Sequence, residues 1–193
     1  MSVKDVRYKR TEYLLSRSLF NLLEEKTFNE IKISELASKA GVSRQAFYSH
    51  YEDKYDFLNH LNSLLIMQIQ HLLLVKMKKP QKVLLLMSAL DQLTKDADFC
   101  LNLSRLFEVN QTIYEPNFDC LDKRLEKLFF TYFSDYIWKA DCYCQTSYFQ
   151  EFLGKMITNA LYTTINSRSD IPLKILQTQL NLFDYRVSNK EIV

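Results

Sequence analysis

The residues best suited to recognition chemistry lie together near the N-terminus. Arg44 and Gln45 are adjacent, and each carries a planar group that can form two parallel hydrogen bonds with one partner. In the major groove of DNA, arginine pairs in this way with guanine and glutamine with adenine, and the methyl group of Ala46 can touch that of a thymine. Tyr48 and His50 supply further donors. These side chains therefore indicate recognition of base edges.

The surrounding residues are spaced to hold this set on a short helix. Before it, apolar side chains recur with the period of one helix face, at Ile33, Leu36, Ala37 and Ala40. Gly41 then provides the residue type that most easily adopts a positive φ and ends a helix, and Ser43 provides an N-cap for a second helix starting at Arg44. A helix, a tight turn and a capped second helix form a helix-turn-helix motif, predicted here over residues 32–51.

Positions on both sides of this motif follow a family pattern. An apolar stripe, an aromatic residue, the turn, two aromatic pairs and a lysine occur in order: Leu15, Leu19, Leu22, Leu23, Phe28, Ile33, Leu36-Ala37, Ala40-Gly41-Val42-Ser43, Phe47-Tyr48, His50-Tyr51 and Lys54. Residues 15–58 thereby resemble the N-terminal domain of the TetR/AcrR family of bacterial transcriptional regulators. Two positions depart from that family, because Thr27 stands where it usually has glycine and Lys32 where it has a Thr or Ser cap. The departure falls at the entry into the first helix of the motif.

The resemblance implies a function and a set of contacts. It implies a sequence-specific DNA-binding regulator that forms a homodimer on a palindromic double-stranded operator, acts as a repressor and is released by a small-molecule effector. Tyr48, His50 and Lys54 resemble the family's phosphate-contacting positions, and Ser34 and Ser49 can add to them. The predicted DNA-binding set is Ser34, Ser43, Arg44, Gln45, Ala46, Tyr48, Ser49, His50 and Lys54. No ligand-binding residue and no cofactor is assigned.

Composition favours helices throughout the chain. Of its 193 residues 47% are hydrophobic, but only two are glycines and three are prolines. Such a chain can bury a core, yet it has too few turn residues for a sandwich or a barrel. We therefore expect an all-α protein with an N-terminal three-helix helix-turn-helix domain over 1–52 and a C-terminal helical bundle domain over 53–193 for ligand binding and dimerisation. A long helix starting near Asp53 is expected to span both domains.

Positive charge is local rather than general. The net charge is +2, so the chain has no large basic surface. Lysines and arginines instead cluster at the N-terminus and around the motif: Lys4, Arg7, Lys9, Arg10, Lys32, Lys39, Arg44 and Lys54. Such a cluster is compatible with a modest number of phosphate contacts. The alternative is that these are solvated side chains at helix ends.

Two apolar segments near the C-terminus predict a subunit interface. The last helix is apolar on two sides, so it must be covered on two sides, and the simplest cover is a second copy of the chain. The resemblance implies the same, because the family dimerises through its last two long helices. The predicted interface residues are Phe149, Phe152, Leu153, Met156, Ile157, Ala160, Leu161, Thr164, Leu176, Leu180 and Phe183. The alternative is ordinary packing within one subunit.

Other classes of function lack their signatures in this sequence. The only glycines are Gly41 and Gly154, so the sequence has no glycine-rich phosphate loop. It also has no HExxH pair and no nucleophile elbow. We therefore expect that the protein is not an enzyme. Cys142 and Cys144 have no second pair nearby in sequence, so no metal site is predicted. With no secretory signal the chain is expected to be cytoplasmic, and residues 57–75 are too polar for a bilayer span. The remaining alternative is a regulator-like protein whose first domain binds a protein partner instead of DNA.

Overall fold

The computed structural model describes residues 3–76, 82–113, 118–137 and 147–189, and side chains over 6–73, 83–113, 118–132, 148 and 151–182. Within these ranges the chain forms nine α-helices and no strand, which confirms the predicted all-α fold. The helices are α1 (Val3–Leu23), α2 (Ile33–Lys39), α3 (Arg44–Tyr48), α4 (Lys54–Lys76), α5 (Lys82–Thr94), α6 (Ala97–Gln111), α7 (Leu121–Ile137), α8 (Ser147–Ser167) and α9 (Ile171–Asn189).

The first three helices close around a small apolar core. Its largest members are fully buried because α1, α2 and α3 each contribute one apolar face: Leu15, Leu19, Phe28, Leu36 and Phe47. Phe28 and Ile31, which lie in the connection between α1 and α2, are buried beneath the motif as the sequence predicts. The motif thus rests on a packed base rather than on a flexible loop.

Helix α4 leads from this base into the C-terminal helices. Its 23 residues extend over about 35 Å at 1.5 Å per residue. The buried face follows steps of four residues through Leu61, Leu65 and Ile69 to Leu73. Leu72 is only partly buried, because the next step of four from Ile69 is Leu73. α4 therefore presents one continuous stripe to its neighbours.

A buried pair of amide side chains joins α4 to α6 and α7. The Asn62 amide donates to Asn110 Oδ1 at 2.9 Å, and the Asn110 amide donates back to Asn62 Oδ1 at 3.1 Å. Asn110 also donates to the Leu106 carbonyl at 2.6 Å and accepts from the backbone N–H of Leu121 at 2.9 Å. Asn110 therefore accepts a hydrogen bond from the first amide of α7 and is also hydrogen-bonded to Asn62 on α4.

A second polar contact ties the same helices together nearer the surface. The Arg124 guanidinium on α7 donates to Ser63 Oγ at 2.9 Å and to the Asn59 carbonyl at 3.3 Å, both on α4. It also forms an ion pair with Asp119 at 3.1 Å. Because several N–H groups of one planar cation are used, this contact fixes the orientation of α7 as well as its distance from α4.

The packing of α7 against α8 is very close at Gly154. A Cβ atom at this position would lie 2.6 Å from the Glu126 carbonyl oxygen on α7. No side chain separates the two backbones there, so only glycine allows this approach.

The two C-terminal helices bury most of the side chains predicted to meet a partner. Six of them are covered within the single subunit: Leu153, Ile157, Leu161, Thr164, Leu176 and Leu180. Phe152 is 59% exposed, whereas Met156 and Ala160 are partly buried. The side chains of Phe149 and Phe183 lie outside the described residues. The buried six belong to the core, because α8 and α9 pack on each other and on α5, α6 and α7.

The pair Cys142 and Cys144, for which the sequence predicts no metal site, falls outside the described residues. Over the described part of the chain, no helix is both long and apolar enough to cross a membrane, and no three His, Cys, Asp or Glu side chains gather where they could hold a metal ion.

We expect Asn110→Leu to lower the free energy of unfolding more than Asn62→Leu. Asn62→Leu removes two hydrogen bonds and leaves Asn110 with its two backbone partners, which predicts a loss of about 1 to 3 kcal/mol. Asn110→Leu strips partners from both Asn62 and the Leu121 amide, so its loss should be larger. Urea unfolding of both variants measures the difference, and equal losses would contradict the assigned network.

Candidate nucleic-acid interface

The turn between α2 and α3 has the geometry that its residue types predict. Gly41 adopts a φ of +66°, a conformation that side-chain-bearing residues rarely take. The Gly41 N–H donates to the Ser38 carbonyl at 3.1 Å and the Val42 N–H to the Ala37 carbonyl at 3.0 Å. These two bonds form a Schellman motif, which ends α2 and turns the chain sharply into α3.

Helix α3 begins with a side-chain cap. Ser43 has extended backbone angles, and its Oγ accepts a hydrogen bond from the Ala46 N–H at 3.0 Å. This confirms the predicted N-cap. Phe47, fully buried, anchors the helix from below through ring contacts with Tyr51 and Phe57 at 5.5 and 5.9 Å. α3 is only five residues long, so its position depends on this cap and this anchor.

The predicted base-reading side chains lie on the outer face of α3. Arg44, Gln45 and Tyr48 are exposed, and Ala46 is half-buried. Over the described residues, no acidic side chain forms an ion pair with Arg44, whereas two lysines close by are paired: Lys26 with Glu35 at 2.5 Å and Lys39 with Glu25 at 3.4 Å. The guanidinium of Arg44 therefore remains available to a partner molecule.

An open cleft of about 520 Å³ lies beside these residues, between the start of α2 and the outer face of α3. Four of the predicted DNA-binding residues line this cleft: Ser34, Arg44, Tyr48 and Lys54. The other lining residues come from the α1–α2 connection, the start of α2 and the start of α4. The lining residues are Asn29, Ile31, Lys32, Ile33, Ser34, Arg44, Tyr48, Asp53, Lys54 and Tyr55. Lys32, Ser34 and Arg44 meet at this cleft although they lie on both sides of the turn.

Three other predicted contact residues make internal contacts. Ser43 is engaged as the α3 cap, and Ser49 Oγ donates to the Ala46 carbonyl at 2.7 Å. The His50 ring lies 4.3 Å from the ring of Tyr8, which brings the N-terminal part of α1 beside the end of α3. The exposed side chains of Arg7, Lys9 and Arg10 flank Tyr8 in the sequence.

Lys54 differs from the other predicted contacts. Its ammonium group donates to the carbonyl oxygens of Phe28 at 2.9 Å, Asn29 at 2.9 Å and Ile31 at 3.2 Å. A lysine ammonium has three N–H donors, so this arrangement leaves none for a phosphate. Partial burial lowers the pKa of Lys54.

Some contacts of this region could not be predicted from the sequence. Glu12 on α1 pairs with His60 on α4 at 2.7 Å, and the Tyr8 and His50 rings meet across 42 positions of sequence. No periodic pattern links residues so far apart. Lys32 lines the cleft although it was not among the predicted DNA-binding residues.

The site and fold together define a class of protein: an all-α protein that presents a helix-turn-helix motif at the end of a helical body. Residues 18–61 match the family model of bacterial regulatory proteins of the tetR family. This match confirms the resemblance that the sequence indicates over residues 15–58, and it identifies a tetR-family helix-turn-helix domain in this part of the chain. A comparison with curated proteins found no matching sequence.

Solved structures with the same fold extend over nearly the whole chain. A gamma-butyrolactone receptor (ArpA-like protein) has a TM-score of 0.61 at 14% identity, covering 90% of this chain and 87% of the other. Thermus thermophilus FadR, a TetR-family transcriptional repressor in complex with lauroyl-CoA, has a TM-score of 0.53 at 17% identity, covering 94% and 95%. The dihydroxyacetone kinase operon activator DhaS has a TM-score of 0.53 at 14% identity, covering 92% and 96%. At these identities the likeness shows the fold.

We expect Ser43→Ala to destabilise the N-terminal domain by about 1 kcal/mol, because the Ala46 amide loses its acceptor at the start of α3. Thermal or denaturant unfolding measures this loss. Ser38→Ala, an exposed serine on α2, is the matched control and should change stability by less than about 0.5 kcal/mol. Equal losses of stability in the two variants would show that the Ser43 cap does not stabilise α3.

Proposed function

We propose that this protein is a sequence-specific regulator of transcription that binds double-stranded DNA as a homodimer through α3. The observation that carries this proposal is the rigid outer face of α3, where the exposed Arg44 and Gln45 stand on a capped helix anchored by Phe47. Both side chains can read base edges bidentately in the major groove. A helix of this length enters the groove with its N-terminal residues forward, which are these two.

The cleft beside α3 supports a phosphate-binding role. Lys32 and Arg44 bring positive charge to it, and Ser34 and Tyr48 add hydroxyl donors. Phosphate contacts of this kind set the orientation of a protein on the duplex, while base contacts select the sequence. Arg7, Lys9 and Arg10 extend the positive charge along the exposed side of α1. Because net charge is only +2, we expect few contacts and a moderate dependence on salt.

The position of α4 supports a division of the chain into two domains. We place the DNA-binding domain at residues 1–52 and a C-terminal effector-binding and dimerisation domain at residues 53–193, with α4 starting at Lys54 as the connection. The Asn62 and Arg124 contacts bind α4 to α6 and α7. A change in those helices can therefore re-aim the motif.

For pairing of two subunits we propose the exposed apolar side chains of α8 and α9. Tyr148 and Phe152 are 83% and 59% exposed on α8, and Ile171, Ile175 and Leu182 are 55% to 60% exposed on α9. Phe152 continues into a stripe with Met156 and Ala160 at intervals of four residues. Exposed apolar side chains on two adjacent helices favour a second copy of the same surface. A two-fold dimer would bind a palindromic operator with half-sites about 34 to 36 Å apart, or a multiple of that distance.

We further propose a repressor released by a small-molecule effector. The solved structures with this fold include a gamma-butyrolactone receptor and a repressor in complex with lauroyl-CoA, and this supports the proposal. An effector acts by favouring the conformation in which the two motifs are wrongly spaced for DNA.

The second candidate function is that of a regulator-like protein whose N-terminal domain binds a protein. It is favoured by the low net charge, and it predicts a complex that survives high salt.

Selection of bound duplexes from a random DNA pool tests the DNA-binding proposal, because it returns an operator and its half-site spacing together. We expect Arg44→Ala to weaken binding to that operator by about 1 to 3 kcal/mol with unchanged folding. Arg168→Ala, which removes an exposed arginine between α8 and α9, serves as the control. Failure to enrich any duplex would favour the protein-binding candidate, and unchanged affinity of Arg44→Ala would exclude Arg44 from base reading.

We expect Phe152→Glu and Ile175→Glu to convert a dimer into monomers, because a charge buried at an apolar interface without a partner is strongly unfavourable. Analytical ultracentrifugation measures the mass. Leu101→Glu on α6, where the leucine is 48% exposed, is the matched control and should leave the dimer intact. If the two α8 and α9 variants remain dimeric, the subunits pair through another surface.

A further inference from the structure

The two helices of the motif start in different ways. Ser43 gives α3 a side-chain cap, whereas α2 begins after Lys32, which has the backbone conformation of an N-cap (φ −94°, ψ 144°) but no side-chain hydrogen bond to the helix. An uncapped start leaves first-turn amides without a side-chain acceptor, which weakens the start of the helix. α2 has seven residues, so its placement needs support from elsewhere.

The segment immediately before α2 receives that support from Lys54. Its ammonium group donates to three carbonyl oxygens of this connection, those of Phe28, Asn29 and Ile31. It also lies 5.0 Å from the centre of the Phe28 ring and 5.7 Å from that of Tyr55. Three charge-assisted hydrogen bonds in a partly buried position are stronger than exposed ion pairs.

The Phe28 ring of the same connection also meets α4, where it packs edge-on against Tyr55 at 5.5 Å. The other side-chain hydrogen bonds of the connection do not reach α4: the Thr27 N–H and hydroxyl both donate to Glu30, and Lys26 pairs with Glu35 on α2. Thr27, Glu30 and Lys26 are exposed, and Glu35 is partly buried. Lys54 is the first residue of α4, so its three bonds join the entry of the motif to the helix that leads into the C-terminal domain.

We infer that Lys54 is a positioning residue: it fixes the Phe28, Asn29 and Ile31 carbonyls on the start of α4, holds the segment that leads into the uncapped α2, and thereby sets the angle at which α2 and α3 meet DNA. This inference rests on the proposed DNA-binding function. It assigns Lys54 a role different from the phosphate contact that the sequence resemblance implies. The adjacent Lys32, exposed on the same cleft, is left as the phosphate-binding lysine.

The pair Lys54→Met and Lys32→Met separates the two roles, since each removes one cation from the same cleft. The probes are the operator duplex from the selection and a duplex of scrambled sequence, titrated over a range of KCl concentrations. For Lys54→Met we expect an unchanged slope of log affinity against log salt and an operator preference reduced about fivefold to tenfold. For Lys32→Met we expect the slope to fall by about 0.9, as for one lost phosphate contact, with operator preference retained.

A structural arm needs no DNA. Hydrogen exchange of the α2 amides should be faster in Lys54→Met and unchanged in Lys32→Met. Its result stands even if the wild-type protein selects no operator, so failure of the inference and failure of the proposed function are distinguishable. Wild-type exchange rates in a folded Lys54→Met would overturn the inference.

A rescue experiment tests whether a side-chain cap at the start of α2 can compensate for the loss of the three Lys54 hydrogen bonds. Lys32→Thr supplies a cap at a residue that already has the right backbone angles, so we expect Lys54→Met/Lys32→Thr to recover slow exchange in α2 and much of the operator preference. If Lys54→Met alone does not fold, the double variant should still form α2. Two results for Lys54→Met would overturn the inference. A slope of log affinity against log salt that falls by about 0.9 would show that Lys54 binds phosphate. An operator preference equal to that of the wild type would show that the role of Lys54 is structural only.

Discussion

The reciprocal hydrogen bonds between Asn62 and Asn110 are the contact on which the arrangement of the C-terminal helices depends. Both side chains are buried, so each amide group needs its partners inside the protein. Asn110 has four such bonds and reaches α4, its own helix and the first amide of α7. Apolar side chains at these positions would allow α4 to slide along its stripe of leucines, whereas directional amide bonds accept one register. The long helix that carries the motif is thus held at a defined height against α6 and α7, and Arg124 repeats the constraint closer to the surface.

The two helices of the motif are held in place in different ways. α3 obtains its acceptor from Ser43, the residue directly before it, and α2 lacks such an acceptor and is preceded by a segment held by Lys54. The local contact depends on one side chain and its neighbour. The distant one couples the start of α2 to α4, so the orientation of the recognition surface is not a property of the motif alone.

Local signals in the sequence were sufficient for the fold and for the motif. Gly41 and Ser43 act within three residues of their own positions, so residue type alone predicted the turn and the cap. The contacts between Asn62 and Asn110, Glu12 and His60, and Lys54 and the Phe28 carbonyl join residues 26 to 48 positions apart, and no periodicity encodes them. The predicted interface illustrates a different limit. A regular apolar pattern shows that Leu153 and Leu161 must be covered, but it does not distinguish cover by the same chain, which is what the structure provides, from cover by a second chain.

The contact at Gly154 has a mechanical consequence for the molecule as a regulator. With a glycine against the Glu126 carbonyl, α7 and α8 touch backbone to backbone, and no pliable side chain is left between them to absorb a displacement. α7 is also the helix that Asn110 and Arg124 fasten to α4. A movement of α4 would therefore be transmitted to α8 without slack, so that the orientation of α3 and the surface of α8 would change in step.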